Sequence, residues 1–172
     1  MSADHDPFNN PDKRHPRARE IMSDESLWSC SNDASPFGSD EGSESYSEFL
    51  RWRGRNPKAN LLECLDWILE GRTNEYNDRL LDEANMAKIA AGDEKGGLIG
   101  LNYGDIFTLD ATIIATALAQ LAEEGRIDPE VKPIVRIALR RQSHPSVLRG
   151  WSRHGVERAR ILQAASTAVE SA

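Results

Sequence analysis

The arginines of the C-terminal third form the densest group of side chains that could do chemistry. Residues 132–160 carry eight basic residues against one acid. Lys132, Arg136 and Arg140 recur at i, i+4 and i+8, so a helix here presents one cationic stripe, and Arg141 lies beside it. Such a stripe can hold the phosphates of a nucleic acid, or it can pair with carboxylates of this chain or of a protein partner. A solvated face without a partner is the third interpretation.

An acidic segment near the N-terminus supplies the opposite charge. Residues 23–47 hold nine serines and six acidic residues and lack Lys and Arg. We predict that the acidic loop within this segment, residues 24–44, pairs with the arginines of residues 132–160 or with a partner, and that Asp40 and Glu41 are among its contact residues. Neighbouring carboxylates can also bind a divalent cation, but Asp more commonly serves caps and turns. We therefore predict no metal and no cofactor.

A second basic cluster, RWRGR, occupies residues 51–55. Arg and Trp side chains together can stack on bases or hold phosphates. Trp52 follows Phe49 at i+3, which is typical of a core position, and arginines at the end of a helix are favoured by its dipole. We retain Arg51 and Arg53 as candidate partner-binding residues and assign Trp52 as a structural anchor.

Signatures of catalysis are missing from the sequence. The four histidines form no HExxH motif, neither cysteine has a neighbour at metal-ligand spacing, and no GxSxG elbow occurs. GGLIGLNYG clusters glycines before a helix but matches no phosphate-loop pattern, so we interpret it as an interhelical loop. We predict no catalytic residue, although an active site assembled from distant residues stays an open alternative.

The elements that must position these residues are helical. Capping and periodicity predict an all-α protein, a single irregular domain of six or seven helices with a long ordered N-terminal loop. The predicted helices run from the Ser45–Glu48 capping box to near Gly54, over about 57–70, from Thr73 or Asn74 to Gly92, from Thr108 to Gly125, from Asp128 to about Gln142, and over about 156–168. Residues 98–102 are the one candidate for a short strand.

Aromatic residues inside the serine-rich segment argue against a disordered tail. Trp28 and Phe37 are expected to anchor an otherwise polar loop to the helical core, because each large buried side chain contributes roughly 1.5–3 kcal/mol. The P-F-G sequence and the Ser and Asp residues after it suit a turn. We therefore place the flexible tail at residues 1–13 and the single helical domain at residues 14–172.

The order of several rare motifs resembles a known family. HPRAREIM, SLWSC, SPFGSDEG and SEFLRWRGRNP follow one another, and FTLDATIIATALAQLAEEGRID and IALRRQSHP come later. In this pattern, which covers most of residues 15–150, the chain resembles the YfeS-like bacterial proteins. The resemblance implies a folded domain and assigns no activity. Some longer relatives carry an appended WGR domain, which is not expected here, so no nucleic-acid role is transferred from it.

Composition bounds the class of function. The net charge is −7, with −6 in residues 1–45 and +2 in residues 106–172, which argues against broad binding of nucleic acid or anionic membrane. Two cysteines, an N-terminus without a signal-like apolar stretch and the lack of an 18-residue apolar run predict a soluble cytoplasmic protein. We expect a non-enzymatic interaction or regulatory protein that presents an acidic loop and a basic helical face to a protein partner. The alternative is a nucleic-acid-associated regulator that uses the basic face of residues 132–160.

Overall fold

The computed structural model describes residues 6–90 and 106–172, and the protein is all-α. These residues form eight α-helices and no strand. Two of the eight helices, α1 (Pro16–Ile21) and α7 (Pro145–Gly150), were not among the predicted helices. Both are short, and both begin at a His–Pro step. In each, the preceding histidine accepts a hydrogen bond from a backbone N–H of the first turn. Proline suits the first position of a helix, so each of these steps begins a helix that the sequence pattern did not predict.

The longer helices make up most of the remaining fold. They are α2 (Asp40–Arg55), α3 (Leu61–Ile68), α4 (Glu83–Ala90), α5 (Ile106–Glu124), α6 (Lys132–Gln142) and α8 (Gly155–Ser171). Single 3-10 turns lie at Pro11–Lys13, Glu25–Trp28, Thr73–Glu75, Asp78–Leu81, Pro129–Val131 and Ser152–His154.

Helix α5 lies at the centre of the molecule. Its predicted stripe of Leu109, Ile113, Ala117 and Leu121 is at most 1% exposed, and most other residues of the helix are buried as well. Helices α2 and α6 pack against it, and α8 packs against α6. A helix that is apolar nearly all round has to be enclosed by other elements. Gly125 ends α5 with a φ of +67°.

The first turn of α2 begins six residues earlier than the sequence pattern predicts. Ser39, rather than Ser45, caps the helix, and its Oγ accepts a hydrogen bond from the Gly42 N–H at 3.2 Å. Ser45 lies inside the helix and donates its hydroxyl to the Glu41 carbonyl at 2.5 Å. The predicted capping box is therefore wrong, because the docked chain before α2 fixes an earlier start.

Two further helix starts are later than predicted. Helix α3 begins at Leu61, after a capping box formed by Asn60 and Glu63. Asn56, just before the predicted start, is the C-cap residue of α2. The predicted helix from Thr73 is two 3-10 turns followed by α4. The predicted glycine-rich loop and the candidate strand at residues 98–102 lie outside the described residues.

The N-terminal loop, residues 22–39, includes the 3-10 turn Glu25–Trp28 and is docked on the helices. Trp28 and Phe37, the expected anchors, are 2% and 0% exposed. The indole N–H of Trp28 donates to the Met22 carbonyl at 2.8 Å. The Phe8 ring meets Phe37 and Tyr46 edge to face, with centroids 5.1 and 4.8 Å away. These contacts place residues 7 and 8 against the core, whereas the predicted mobility of residues 1–13 stays a prediction.

Candidate functional site

The predicted cationic stripe of α6 lies at the surface, and its two arginines form pairs within the chain. Arg136 forms two hydrogen bonds with Glu170, at 2.5 and 2.6 Å, which raise the pKa of Arg136 and lower the pKa of Glu170. Arg140 lies 3.3 Å from Asp78. Both guanidinium groups therefore have partners within the chain.

Arg141 does not belong to the surface at all. Its side chain is fully buried, with Nε 3.3 Å from Oδ2 of Asp110. The placement of Arg141 on a partner-binding face is therefore wrong. It follows Ile134 and Ala138 at i+7 and i+3, and this spacing puts it on the side of α6 that packs inward.

Two arginines of α8 contact the N-terminal loop. Arg160 forms an ion pair with Asp24, and Nη1 of Arg158 donates to the Ala34 carbonyl at 2.9 Å. Asp40 and Glu41 are placed elsewhere, in the first turn of α2, where the helix dipole favours negative charge.

Arg51 and Arg53 lie at the opposite end of α2. Arg51 pairs with Glu48 at 2.5 Å. Arg53 is largely buried, lies 2.6 Å from Glu124, donates to the Ala59 carbonyl at 2.6 Å, and stacks 5.0 Å from the Trp52 ring. Because Glu41 is about 18 Å away along the helix, the predicted site residues do not converge.

A groove between α2, α3 and α5 brings together a different set of side chains. Its volume is about 240 Å³. Carboxylates of α2 form one rim, threonines of α5 form the other, and Trp67 of α3 stands at the mouth. The lining residues are Glu41, Glu44, Ser45, Glu48, Phe49, Cys64, Trp67, Ile68, Thr108, Thr112 and Thr116. Of the predicted site residues, only Glu41 belongs to it.

The groove combines negative charge with an apolar floor. Glu41, Glu44 and Glu48 recur at i, i+3 and i+7, so their carboxylates project from one side of α2. The Trp67 side chain is 63% exposed, whereas the other large apolar side chains of the region are buried. An exposed tryptophan beside a buried apolar floor is typical of a binding surface, since aromatic side chains dominate interface energetics.

The chemistry of the groove favours binding over catalysis. Burial raises the pKa of the Cys64 thiol to about 12, so this thiol is neutral at physiological pH and a poor nucleophile. Within the described part of the chain no three His, Cys, Asp or Glu side chains are placed to hold a metal ion. A cationic and partly apolar ligand suits the carboxylates and the indole together.

Two signals in the sequence could have revealed this groove. Thr108, Thr112 and Thr116 recur every four residues in a helix that is otherwise apolar. The spacing of the three glutamates is also readable, but only once α2 is extended back to Asp40. The predicted start at Ser45 left Glu41 and Glu44 outside the helix and concealed the row.

The comparisons with known proteins add no relative. No protein-family model, curated protein or solved structure matches this chain. The resemblance to YfeS-like proteins therefore stays a prediction. Among residues 6–90 and 106–172, no helix has the length and apolar character needed to cross a membrane.

Proposed function

We propose that this protein is a non-enzymatic interaction or regulatory protein whose α2–α3–α5 groove binds a basic, amphipathic segment of a partner protein. The observation that carries the proposal is the exposed Trp67 at the mouth of an apolar groove rimmed by three glutamates. We further propose a cytoplasmic location, which the two free cysteines favour.

Charge and apolar contact have separate roles in this proposal. Lysines or arginines of the partner meet Glu41 and Glu44 and compete with Arg51 for Glu48. An aliphatic or aromatic side chain enters between Phe49, Ile68 and Trp67. Electrostatic complementarity accelerates the encounter and selects basic partners, while the apolar anchor supplies most of the affinity. The net charge of −7 also attracts basic partners.

The groove changes the hypothesis that the protein presents an acidic loop and a basic helical face to a protein partner. Asp40 and Glu41 remain on the acidic side, now as the first turn of a helix. The basic face receives less support, because Arg136 and Arg140 already pair with Glu170 and Asp78, and Arg141 is buried. The same contacts weaken the alternative of a nucleic-acid-associated regulator, which needs these guanidinium groups available for phosphates.

A labelled amphipathic helix made of leucine and lysine tests the proposal by fluorescence anisotropy. We expect it to bind, and we expect combined Glu41→Gln, Glu44→Gln and Glu48→Gln substitutions to weaken binding about tenfold. Each rim charge contributes up to about 1 kcal/mol, and 1.4 kcal/mol corresponds to a factor of ten. Trp67→Ala should weaken binding at least as much, and added salt should weaken it in the wild type.

The matched control neutralises three exposed glutamates elsewhere, through Glu20→Gln, Glu75→Gln and Glu83→Gln. This variant changes the net charge equally and should bind like the wild type apart from a small general effect. A leucine–glutamate peptide should not bind. Equal losses in the rim and control variants, or full binding by Trp67→Ala, would show that the groove is not the docking site.

A further inference from the structure

A buried arginine that forms no ion pair with a described carboxylate lies beneath two aromatic rings. Arg158 is 3% exposed, and its guanidinium carbon is 4.8 Å from the Trp151 ring centroid and 5.8 Å from that of Phe107. Nη1 donates to the Ala34 carbonyl. Nε is also buried, and no described residue accepts a hydrogen bond from it. One donor of a planar group that is well suited to oxyanions is therefore unused.

The missing partner is an energetic anomaly. Burial lowers the pKa of Arg158 to about 10, which still leaves the guanidinium charged at neutral pH. Its neighbour Arg160 has an ion-pair partner in Asp24, whereas Arg158 forms no ion pair with a described carboxylate and has only the more distant attraction of Asp110. Burying an unpaired charge is costly, and an anion bound beside it would relieve that cost.

A second unused polar group faces the same space. Ser35 is 1% exposed, and its hydroxyl has no hydrogen-bond partner among the described residues. Ser35 and Arg158 line one small cavity together with Ser39, the N-cap residue of α2. The positive end of a sixteen-residue helix therefore lies at this cavity as well.

The cavity adjoins a wider groove, with which it shares two lining residues. The inner space is about 10 Å³, close to the minimum for one water molecule. The outer groove is about 460 Å³ and shares Ser39 and Phe107 with the inner cavity. Acidic residues at its edge are Asp33, Asp40 and Glu41, and Trp151 forms its aromatic wall.

We propose that this second site receives a carboxylate group, one oxygen of which enters the inner cavity and accepts hydrogen bonds from Arg158 Nε and the Ser35 hydroxyl. The remainder of the ligand lies against Trp151 in the outer groove. A basic group on the ligand faces Asp33, Asp40 and Glu41. Free basic amino acids and the C-termini of basic peptides share this chemistry.

Charge favours a carboxylate over a phosphate. The acidic edge of the outer groove repels a dianion and attracts a cationic remainder. The site is separate from the α2–α3–α5 groove apart from Glu41, and it does not rest on the proposed function.

The test compares the dipeptide Leu-Lys with a free C-terminus against the same dipeptide as its C-terminal amide, and includes free lysine. Binding is measured by calorimetry, and the Arg158 Nε–H resonance is followed by NMR. We expect the free-acid dipeptide or free lysine to shift this resonance and the amide to bind at least about tenfold more weakly, since a hydrogen bond to a charged group is lost. The tighter of the two acids identifies the source of the carboxylate.

Ser35→Ala is the matched variant. Its hydroxyl has no partner among the described residues, so removing it should leave the thermal stability nearly unchanged and weaken binding of the free acid. Arg158→Gln should abolish binding; because it also removes the contact with Ala34, Ser35→Ala is the decisive variant. Equal binding of acid and amide would overturn the proposal. The proposal would also be overturned if none of the probes shifted the Arg158 resonance. If acetate or chloride alone reproduced the shift, the site would bind an adventitious ion only, and the proposal would again fail.

Discussion

Gly42 and Gly54 lie on the same helix, but only Gly42 is enclosed by other atoms. A Cβ on Gly42 would clash with the Pro36 carbonyl oxygen, whereas a Cβ on Gly54 would meet nothing within 4 Å. The close approach at Gly42 is what lets the N-terminal loop lie across the first turn of α2.

We predict that Gly42→Ala destabilises the protein by about 1–3 kcal/mol, the usual range for overpacking. Gly54→Ala should be neutral or stabilising by up to about 1 kcal/mol, because alanine is the better helix former. Urea unfolding of the two variants measures both effects. A neutral Gly42→Ala would show that the loop moves away from α2 without cost.

The sequence predicted which apolar side chains are buried better than it predicted the burial of charged side chains. Trp28 and Phe37 followed from their size within a polar segment. Arg141 did not, because arginine is rarely buried and the run of arginines suggested a continuous surface. Its spacing from Ile134 and Ala138 carried the correct signal, but charge was given more weight than periodicity. Trp67 is the opposite case, because it is a large apolar residue that the structure exposes.

At the scale of elements, the position of a helix start depends on tertiary contacts. Two serines compete to cap α2, and the local sequence favours Ser45, since Glu48 completes a capping box there. Because Pro36 and Phe37 are docked against the helices, Ser39 is held in the N-cap position of α2. Helix existence was therefore predictable for α2, α3, α5, α6 and α8, but their boundaries were less so.

The two serines give a direct test. Ser39→Ala should lower the free energy of unfolding by about 1 kcal/mol, the typical cost of losing an N-cap. Ser45→Ala should change it little, because Ser45 is inside the helix and its hydroxyl only bonds back to the Glu41 carbonyl. Chemical denaturation of both variants decides between the two starts. The reverse order of effects would restore the capping box at Ser45.

At the scale of the whole molecule, one buried carboxylate joins elements that are distant in sequence. Asp110 of α5 accepts hydrogen bonds from the Tyr76 hydroxyl and from Gln142 of α6, the latter at 2.9 Å, and lies beside Arg141. Burial raises the pKa of Asp110 to about 6, although the Arg141 charge opposes the shift. The sequence gives no hint of such a group, because its partners come from two segments, around Tyr76 and at the end of α6, that are 34 and 32 residues away along the chain.

This pKa predicts how stability depends on pH. The native state binds the Asp110 proton more tightly than the unfolded chain, whose ordinary value is 3.8. The free energy of unfolding should therefore fall as pH rises from about 4 to about 6, by an amount on the order of 3 kcal/mol from this group. Asp110→Asn removes the titration, so the wild-type stability minus the variant stability should decline over this window.

Unfolding in urea across this range measures the difference. A difference that increases with pH would mean that Arg141 keeps Asp110 ionised throughout and that the ion pair outweighs burial. The Tyr76→Phe variant provides a control, because it removes one hydrogen bond to Asp110 and leaves the carboxylate in place.

The all-α class and the central apolar α5 were predictable, because hydrophobic periodicity identifies a helix even when its predicted ends are wrong. The groove was not, since it depends on three helices meeting and on a row of glutamates that the predicted α2 left out. The site at Arg158 was also hidden, because only the folded chain shows which of many arginines has a carboxylate partner.

The contacts of α8 have a consequence for biosynthesis. Arg158, Arg160 and Glu157 bind residues that precede them by 124, 136 and 125 positions. On the ribosome the N-terminal loop emerges long before its last partners, so it cannot complete its docking until α8 has left the exit tunnel. A premature stop before Gly155 would therefore damage both ends of the fold, and the shortened chain would present its serine-rich loop to proteases and chaperones.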